Sequence, residues 1–379
     1  MVPKINKQNV VIIGPDLDVM GGISFVLSEY LKAGLNKRVD LTFIPTTKDC
    51  SKARKVVFFL GALFRTLSTI VKIKDSIFHL HVSQNGSFYR KLIIFFIAKL
   101  FNKKVIVHIH GSKFEEFMTK RPLNKKLSHV MFGHSDLVIA LTEQWKNIIS
   151  LFEPKARVVK LYNPVSLHPL NAGHSNNTGR IGILFLGRLS QRKGIYDLLR
   201  CINAHKSFFH QHKARFVLAG DGDIDEVKAY VNKNGLNELV GVPGWISGHK
   251  KHLYLSTADI YVLPSYNEQM PMSILEAMSF GLPVISTFVA GIPEMVDNGK
   301  TGILISPGDI TGLRSALDDL IMNPEKRKSM GKEGRATASG RFEASVIVEQ
   351  LVEIYRDVIA TNPKTKNPNT QRIDSKCLN

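Results

Sequence analysis

The sequence predicts an α/β protein built from two Rossmann-like, doubly wound domains that face a central cleft. The chain has 379 residues, and at about 100–200 residues per domain this length favours two domains. In both halves short β-like runs alternate with helical patterns, as they do in parallel sheets covered by helices. Ligands of such sheets bind beyond the carboxyl ends of the strands, so we expect the functional site in the cleft.

The first domain is predicted over residues 1–165. A helix with glycine at its start is expected at 21–35, and residues 156–165 end in Asn-Pro, which is typical of a connector. Buried strands are predicted at 9–15, 39–45, 76–82, 103–111 and 135–142.

The second domain is predicted over residues 166–345 and contains a polar, turn-rich stretch at 171–179. An amphipathic pattern at 341–360 predicts a closing helix, and its part from 346 to 360 is expected to pack back toward the first domain. The tail at 361–379 is rich in Asn, Lys and Pro, and we expect it to be disordered. Strands are predicted at 179–189, 214–222, 239–245, 258–265 and 282–287.

Basic residues are concentrated in the first half of the chain. The net charge is +19, and residues 1–170 contain 26 Lys and Arg against 11 Asp and Glu. A positive surface of this kind attracts nucleic acid, anionic lipid or an anionic substrate. Residues 52–74 and 88–104 mix basic and apolar side chains as amphipathic helices on membranes do. Each pattern alone is equally typical of a helix that covers a sheet, but together with the charge they favour a membrane-surface role.

Other features exclude several classes of protein. No run reaches the ~18 consecutive apolar residues of a transmembrane helix, and the N-terminus lacks the layout of a signal peptide. The three cysteines are too few and too scattered for a disulfide framework or a zinc site. We therefore expect a cytoplasmic protein with free thiols, peripheral at the inner face of the plasma membrane.

Two H-x-H pairs occupy predicted strands, His79 with His81 and His108 with His110. The members of each pair share one face of an extended strand, an arrangement that also occurs in zinc sites. No matching carboxylate or cysteine pattern accompanies them, so we expect no metal. His110 ends its strand just before Gly111, and we expect it to face the cleft.

A loop between a predicted strand and a predicted helix carries two glutamates, in PSYNEQMPMSILEAMSFGLPVIST at 264–287. Glu268 lies in the loop, and Glu276 is predicted in the first turn of the helix. Free N–H groups at a helix start bind anions, and a carboxylate accepts two hydrogen bonds from a vicinal diol of a ribose or hexose. A nucleotide sugar has both features. Alternatively, Glu276 is only a partner of the helix dipole and Glu268 a solvated loop residue.

A second turn, in FLGRLSQRKGIYDLL at 185–199, carries cations. Arg188 and Lys193 flank a strand-to-helix turn, where a guanidinium grips two phosphate oxygens and an ammonium adds a mobile charge. Arg192 is expected to be only an exposed cation.

Two further turn motifs carry weaker signals. The glycine pair at 21–22 follows a strand and lets the backbone approach a ligand closely. It is not the G-x-G-x-x-G of a dinucleotide site. Two D-x-D pairs, one starting at Asp16 and the other at Asp221, lie in Gly/Pro turns and are interpreted as turn chemistry.

Taken together, these stretches resemble the retaining glycosyltransferases of family 4, which have the GT-B architecture. Four segments follow in the family's order and spacing: GRLSQRKGIYDLL, LAGDGD, the stretch at 264–287 and GIPEMVDNGKTGILISPGD. The resemblance is strong over residues 180–310 and looser, but continuous, through GGIS and HIHGS in the first half.

The resemblance implies how a donor would be held. Arg188 and Lys193 would bind the donor diphosphate, and Gly22 would let the loop of the first domain close on the phosphates. Glu276 would hold the ribose hydroxyls, and Glu268 would hold the transferred sugar.

The resemblance also implies that His110 contacts the sugar near the reacting carbon. The chain departs from the family at Gln269–Pro271, where Gly-Phe-Gly is frequent. Pro271 cannot donate a backbone hydrogen bond, so the amides of Met272 and Ser273 are expected to be the donors. The departure leaves the identity of the donor sugar open.

The predicted function is retaining transfer of a hexose from a nucleotide diphosphate sugar to a hydroxyl of a saccharide acceptor, without a metal or another cofactor. A lipid-linked acceptor at the inner membrane face fits the basic first domain and suggests assembly of a bacterial surface polysaccharide. Three alternatives remain. The first is a GT-B sugar-nucleotide epimerase, which needs no acceptor, and the second is a non-catalytic paralogue, given Pro271. The third is a nucleic-acid-binding protein, although no recognised reader motif is present and no specific nucleic acid is expected.

Overall fold

The structure is a computed structural model that describes residues 7–169 and 179–361. The tail predicted beyond Thr361, and nearly all of the turn-rich stretch at 171–179, lie outside the described residues. Within the described ranges the chain forms two parallel six-stranded sheets packed with helices. The predicted α/β class with two Rossmann-like domains is confirmed.

The first domain contains six strands: β1 (Asn9–Gly14), β2 (Asp40–Pro45), β3 (Ser76–Val82), β4 (Lys104–Ile109), β5 (Leu137–Ala140) and β6 (Val158–Lys160). They pair in parallel in the order β2-β1-β3-β4-β5-β6. The central strands are almost entirely buried, as expected for parallel strands covered on both faces. The stretch at 156–165, predicted as a connector, contains the edge strand β6.

The second domain repeats this architecture with β7 (Ile181–Leu186), β8 (Ala214–Ala219), β9 (Val240–Gly244), β10 (Ile260–Val262), β11 (Val284–Thr287) and β12 (Gly302–Ile305). Their order is β12-β11-β10-β7-β8-β9, again with parallel pairing. β12 was not predicted. It is four residues long and lies between turn residues, so its sequence resembles a loop.

Helices connect the strands in both domains. Among the described residues, none of them has the length and apolar character needed to cross a bilayer. The helices of the first domain are α1 (Gly22–Lys32), α2 (Leu35–Arg38), α3 (Lys52–Lys72), α4 (Gly86–Leu100), α5 (Phe114–Lys120), α6 (Pro122–His134) and α7 (Glu143–Phe152). Of these, α3 and α4 correspond to the amphipathic patterns predicted at 52–74 and 88–104. The later ones are α8 (Ile195–Ala204), α9 (Lys206–Gln211), α10 (Ile224–Lys233), α11 (Gly248–Thr257), α12 (Met272–Ser279), α13 (Ile310–Met322), α14 (Pro324–Thr337) and α15 (Ala344–Ala360).

Two layers of apolar side chains enclose the first sheet. On one face α3 and α4 pack against sheet residues such as Phe78 and Val107. On the other face α1 and α15 pack, and Leu351 and Tyr355 of α15 are fully buried there. α15 corresponds to the predicted closing helix, so the last described helix lies in the core of the first domain.

The chain crosses between the domains twice, and the two crossings are hydrogen-bonded to each other. The N–H of Val165 donates to the carbonyl oxygen of Phe342 at 2.8 Å, and the N–H of Ala344 donates to the carbonyl oxygen of Val165 at 2.9 Å. These bonds fix the start of α15 beside the segment that follows β6.

Glu294, which follows β11 in the second domain, caps a helix of the first domain. Its carboxylate accepts hydrogen bonds from the N–H groups of Glu143 at 2.8 Å and Gln144 at 3.3 Å, at the start of α7. It also accepts from the hydroxyl of Tyr162 at 3.3 Å. A carboxylate at a helix N-terminus is favoured by the helix dipole, so this contact helps to join the two domains.

Two glycines allow the loops of the second domain to touch through their backbones. Gly194, just before α8, has a φ of +73°, and a Cβ there would lie 1.9 Å from the carbonyl oxygen of Pro264 in the loop after β10. A Cβ on Gly220, after β8, would lie 1.8 Å from the carbonyl oxygen of Gly187, after β7. The loops after β7, β8 and β10 therefore form one continuous wall.

We expect Gly194→Ala to destabilise the protein more than Gly235→Ala. Both glycines have positive φ, +73° and +63°, but no heavy atom lies within 4 Å of a Cβ built on Gly235. Left-handed backbone alone costs about 1–2 kcal/mol for an alanine, and the clash with Pro264 adds to this cost only at position 194. Denaturant unfolding should therefore show a lower midpoint for G194A. Equal unfolding midpoints for the two variants would contradict this prediction, because they would show that the loops can move apart without a loss of stability.

Candidate active site

A cavity of about 1350 Å³ lies between the two domains. It is lined by the loops after β1, β3 and β4 of the first domain and by those after β7, β8 and β10 of the second. The structure brings all eight residues predicted from the sequence to this cavity. They are Gly22, His110, Arg188, Lys193, Glu268, Met272, Ser273 and Glu276.

Arg188 lies on the turn after β7 and forms an ion pair with Asp221, on the loop after β8. Its Nη1 donates to Oδ2 of Asp221 at 3.0 Å, and the two side chains are 60% and 40% exposed. The interpretation of Asp221 as turn chemistry alone is therefore wrong. Exposed ion pairs contribute little free energy, so an anion in the cavity can replace Asp221 as the partner of the guanidinium at a small cost in free energy.

Glu268 is buried among donors in the loop after β10. Its carboxylate contacts the ammonium of Lys193, lies 3.7 Å from Nη1 of Arg192, and accepts a hydrogen bond from Ser265 Oγ at 3.2 Å. Arg192 also donates to the carbonyl oxygen of Asn267 at 2.8 Å. The expectation that Arg192 is only an exposed cation is therefore wrong, because it holds the loop that presents Glu268.

Glu276 is the fifth residue of α12, in the second helical turn rather than in the predicted first turn. It forms an ion pair with Lys251 of α11, and the same ammonium lies 4.4 Å from the ring centroid of Phe25. Burial raises the pKa of Glu276, and Lys251 offsets part of that rise. Glu276 is therefore a buried carboxylate at the cavity wall with one fixed cationic partner. That partner, Lys251, was not predicted from the sequence.

The N-termini of two helices meet across the cavity. Met272 and Ser273 are the first two residues of α12, and Gly22 is the first residue of α1. A Cβ on Gly22 would lie 4.0 Å from Cγ of Met272. The first N–H groups of a helix have no partner within it, so both helices direct donors and positive dipole ends at the cavity. Pro271 precedes α12, where its missing N–H removes no helical hydrogen bond.

His110 follows β4 and reaches the cavity from the first domain. Its Nε2 is hydrogen-bonded to Nδ1 of His81 at 2.9 Å, and its ring lies 4.2 Å from that of His108, measured between centroids. Burial, together with the charge of Lys91, lowers the pKa of His110 to about 3. The imidazole is therefore neutral at physiological pH, and the contact of Nε2 with His81 leaves Nδ1 for a ligand.

The other histidines form a buried layer behind His110. His79 bonds to the hydroxyl of Tyr355 at 2.7 Å and to Nδ1 of His108 at 3.2 Å. One nitrogen each from His79, His81 and His108 lies within 4.8 Å of the others, and two ligands of a tetrahedral zinc ion lie about 3.4 Å apart, so the spacing alone does not decide between a metal site and hydrogen-bonded imidazoles. Because both nitrogens of His79 already have partners, we interpret this layer as packed neutral imidazoles.

Residues 170–337 match the family model of glycosyl transferases group 1. The chain is 27% identical over 366 residues to an uncharacterised 41.2 kDa protein in the cps region of Klebsiella pneumoniae. This match covers 89% of this chain and 97% of that protein. It is 23% identical over 301 residues to a 2-deoxystreptamine N-acetyl-D-glucosaminyltransferase of Niallia circulans, with coverage of 73% and 75%.

Among solved structures, HepE of Anabaena in complex with UDP has a similar fold. The TM-score is 0.74 at 16% identity, and the match covers 92% of this chain and 100% of HepE. At this identity the likeness shows the fold alone, and that fold is GT-B. Together with the match of residues 170–337, these findings support a glycosyltransferase of GT-B architecture.

Proposed function

We propose that the protein transfers a hexose from a nucleotide diphosphate sugar to a hydroxyl of a saccharide acceptor, with retention of the anomeric configuration. The observation that carries the proposal is the convergence of two cations, two helix N-termini and two buried carboxylates on one cavity. Cations and helix-start amides suit a diphosphate, and carboxylates suit the hydroxyls of ribose and hexose.

Arg188 and Lys193 would neutralise the diphosphate of the donor. A phosphate can take Arg188 from Asp221, because a bidentate charge-assisted contact is stronger than an exposed ion pair. The leaving diphosphate gains charge in the transition state, and one well-placed donor at such a site is worth about 3–4 kcal/mol. Stabilisation of the leaving group is therefore the main contribution that we assign to the second domain.

Glu276 would accept hydrogen bonds from the ribose hydroxyls, and Glu268 from the hydroxyls of the transferred sugar. Both carboxylates are buried and contact a lysine, Lys251 for Glu276 and Lys193 for Glu268. These contacts limit the rotamers of the glutamates, so less side-chain entropy is lost when a sugar binds.

Retention fits a reaction in which the leaving phosphate oxygen takes the proton of the acceptor hydroxyl on the face that the diphosphate leaves. No side-chain base is then required. The neutral imidazole of His110 would orient the sugar and shield its oxocarbenium-like transition state. We propose that no metal or other cofactor takes part, and that domain closure excludes water that would hydrolyse the donor.

The comparisons support two finer choices. HepE was solved with UDP, so UDP-sugars are the first donors to test, followed by GDP- and ADP-sugars. The relative from the cps region of Klebsiella pneumoniae supports a role in bacterial surface polysaccharide synthesis. The lipid-linked saccharide acceptor is our own proposal.

We also propose that the first domain binds the anionic inner face of the plasma membrane, where such an acceptor would lie. α3 and α4 pack on the same face of the sheet and leave large apolar side chains in solvent, which marks an interaction surface. Basic residues lie mainly at the two ends of α3, where they flank these apolar side chains, and apolar burial adds to attraction by anionic lipid. The exposed apolar residues are Val56, Val57, Leu60, Phe64, Leu67, Val71, Tyr89, Ile93, Phe96 and Leu100.

We expect Arg188→Ala and Lys193→Ala each to lower turnover by about 10²–10³-fold, the loss that follows removal of one transition-state donor. Nucleotide release from the preferred donor, with and without acceptor, measures the rate. Arg314→Ala is the control, because Arg314 forms an exposed ion pair on α13 and does not line the cavity. Turnover of both cavity variants within about twofold of wild type would contradict the diphosphate assignment, and product formed from donor alone would favour the epimerase.

We expect the double variant Phe64→Ser/Val71→Ser to bind anionic vesicles more weakly than wild type. Both side chains are 75% exposed on α3, so the change removes apolar contact without disturbing the core. Ile359→Ser is the control, because Ile359 is 51% exposed on α15, which packs on the opposite face of the sheet. Flotation with phosphatidylglycerol vesicles measures binding. If the wild-type protein does not float with anionic vesicles, the membrane proposal is wrong.

A further inference from the structure

A pair of cations without counter-ions lies in the first-domain wall of the cavity. Arg90 and Lys91 belong to the second turn of α4, and both line the cavity. Lys91 is only 1% exposed, although lysine is almost never fully buried unless it is paired. Its ammonium lies 3.4 Å from Ser87 Oγ. Within the part of the chain that the structure describes, no carboxylate lies within 4.0 Å of either cation.

The start of α4 adds further donors at the same place. The helix has 15 residues, and Asn85 before it makes no side-chain cap, so the first N–H groups have no partner within the helix. A Cβ on Gly86 would lie 3.2 Å from Nη1 of Arg90, which shows that the guanidinium folds back over the helix start. Nε of Arg90 is buried and has no hydrogen-bond partner.

The surrounding side chains do not balance these charges. The histidines beside the pocket do not supply negative charge. Burial lowers the pKa of both His81 and His110, with a further contribution from the neighbouring histidines for His81 and from the charge of Lys91 for His110. Burial, with a further contribution from Arg90, lowers the pKa of Lys91 to about 7. A buried cation without a counter-ion is destabilising, and a bound anion would remove this penalty.

We propose that the α4 cation pocket, formed by Ser87, Arg90, Lys91 and the first turn of α4, binds an oxyanion group of the acceptor, a phosphate or a carboxylate. The proposal rests on the proposed function, because it identifies the ligand as the acceptor. The pocket lies in the first-domain wall with His110, whereas the donor-binding cations lie in the second-domain wall. The acceptor is then an anionic saccharide, either a sugar phosphate of the lipid-linked kind or a sugar acid.

Calorimetric titration of the UDP-saturated full chain with inorganic phosphate tests the pocket. Lys91→Met keeps an unbranched apolar side chain, slightly shorter than that of lysine, and removes the charge. Lys99→Met is the matched control, because Lys99 is near the other end of α4 and is paired with Asp136 at 2.9 Å. We expect phosphate affinity to fall at least about tenfold in K91M, the loss of one hydrogen bond to a charged group, and to stay within about twofold in K99M.

Melting temperatures separate a ligand-binding role from a structural one. K91M should melt at or above the wild-type temperature, because an unpaired buried charge is removed, whereas K99M loses an ion pair and should melt lower. Unchanged phosphate affinity in K91M overturns the inference. A combined result also overturns it: a large fall in the melting temperature of K91M together with full phosphate affinity in Arg90→Gln would show that Lys91 has only a structural role. Failure of UDP, GDP and ADP to raise the wild-type melting temperature counts against the proposed function alone.

Three acceptors identify the source of the oxyanion: a hexose glycoside with a phosphate, one with a uronic carboxylate and a neutral one. The ratio of anionic to neutral transfer should fall about tenfold in K91M and stay unchanged in K99M. A preference for the phosphate identifies a sugar phosphate, and a preference for the carboxylate identifies an acidic saccharide. Equal use of all three acceptors by the wild-type enzyme would overturn the inference.

Discussion

The geometry of the cavity depends on direct backbone contact between loops of the second domain. Gly194 and Gly220 let the turn after β7 lie against the loops after β10 and β8 without an intervening side chain. This contact keeps Lys193 within reach of Glu268, whose loop would otherwise carry a buried carboxylate without a cation. Preorganised charges need little rearrangement when charge develops on a substrate. The same contacts therefore serve both the fold and the chemistry that we propose.

The two walls of the cavity differ in their charge balance. On the second-domain side, Arg188 and Glu276 each have an ion partner, Asp221 and Lys251. Such pairs can exchange partners with a ligand and form again after its release, which suits a substrate that is bound and expelled in every turnover. On the first-domain side the cations of α4 have no such partner, so their stability depends on the ligand. A charged acceptor would thus contribute to the stability of the protein as well as to the reaction.

The sequence allowed good prediction where the information is local. Alternating strands and helices gave the two-sheet architecture, and residues that follow strands, such as His110 and Arg188, reach the cavity because parallel strands end at one edge. Contacts between distant residues left no local pattern. Lys251 lies 25 residues before Glu276, and nothing around it marks it as a partner. The position of Glu276 in the helix was misjudged, because α12 begins immediately after Pro271.

The route of the last helix determines how the protein can be divided. α15 comes after the second domain in the chain, yet Leu351 and Tyr355 fill one face of the first sheet. A fragment that ended near Val165 would keep α1 on that face but would expose the part that α15 covers, and the remaining fragment would carry an apolar helix with no surface to bury it. We therefore expect the two lobes to unfold together despite their separate sheets. Excision of either lobe by truncation or protease would yield an incomplete, aggregation-prone polypeptide.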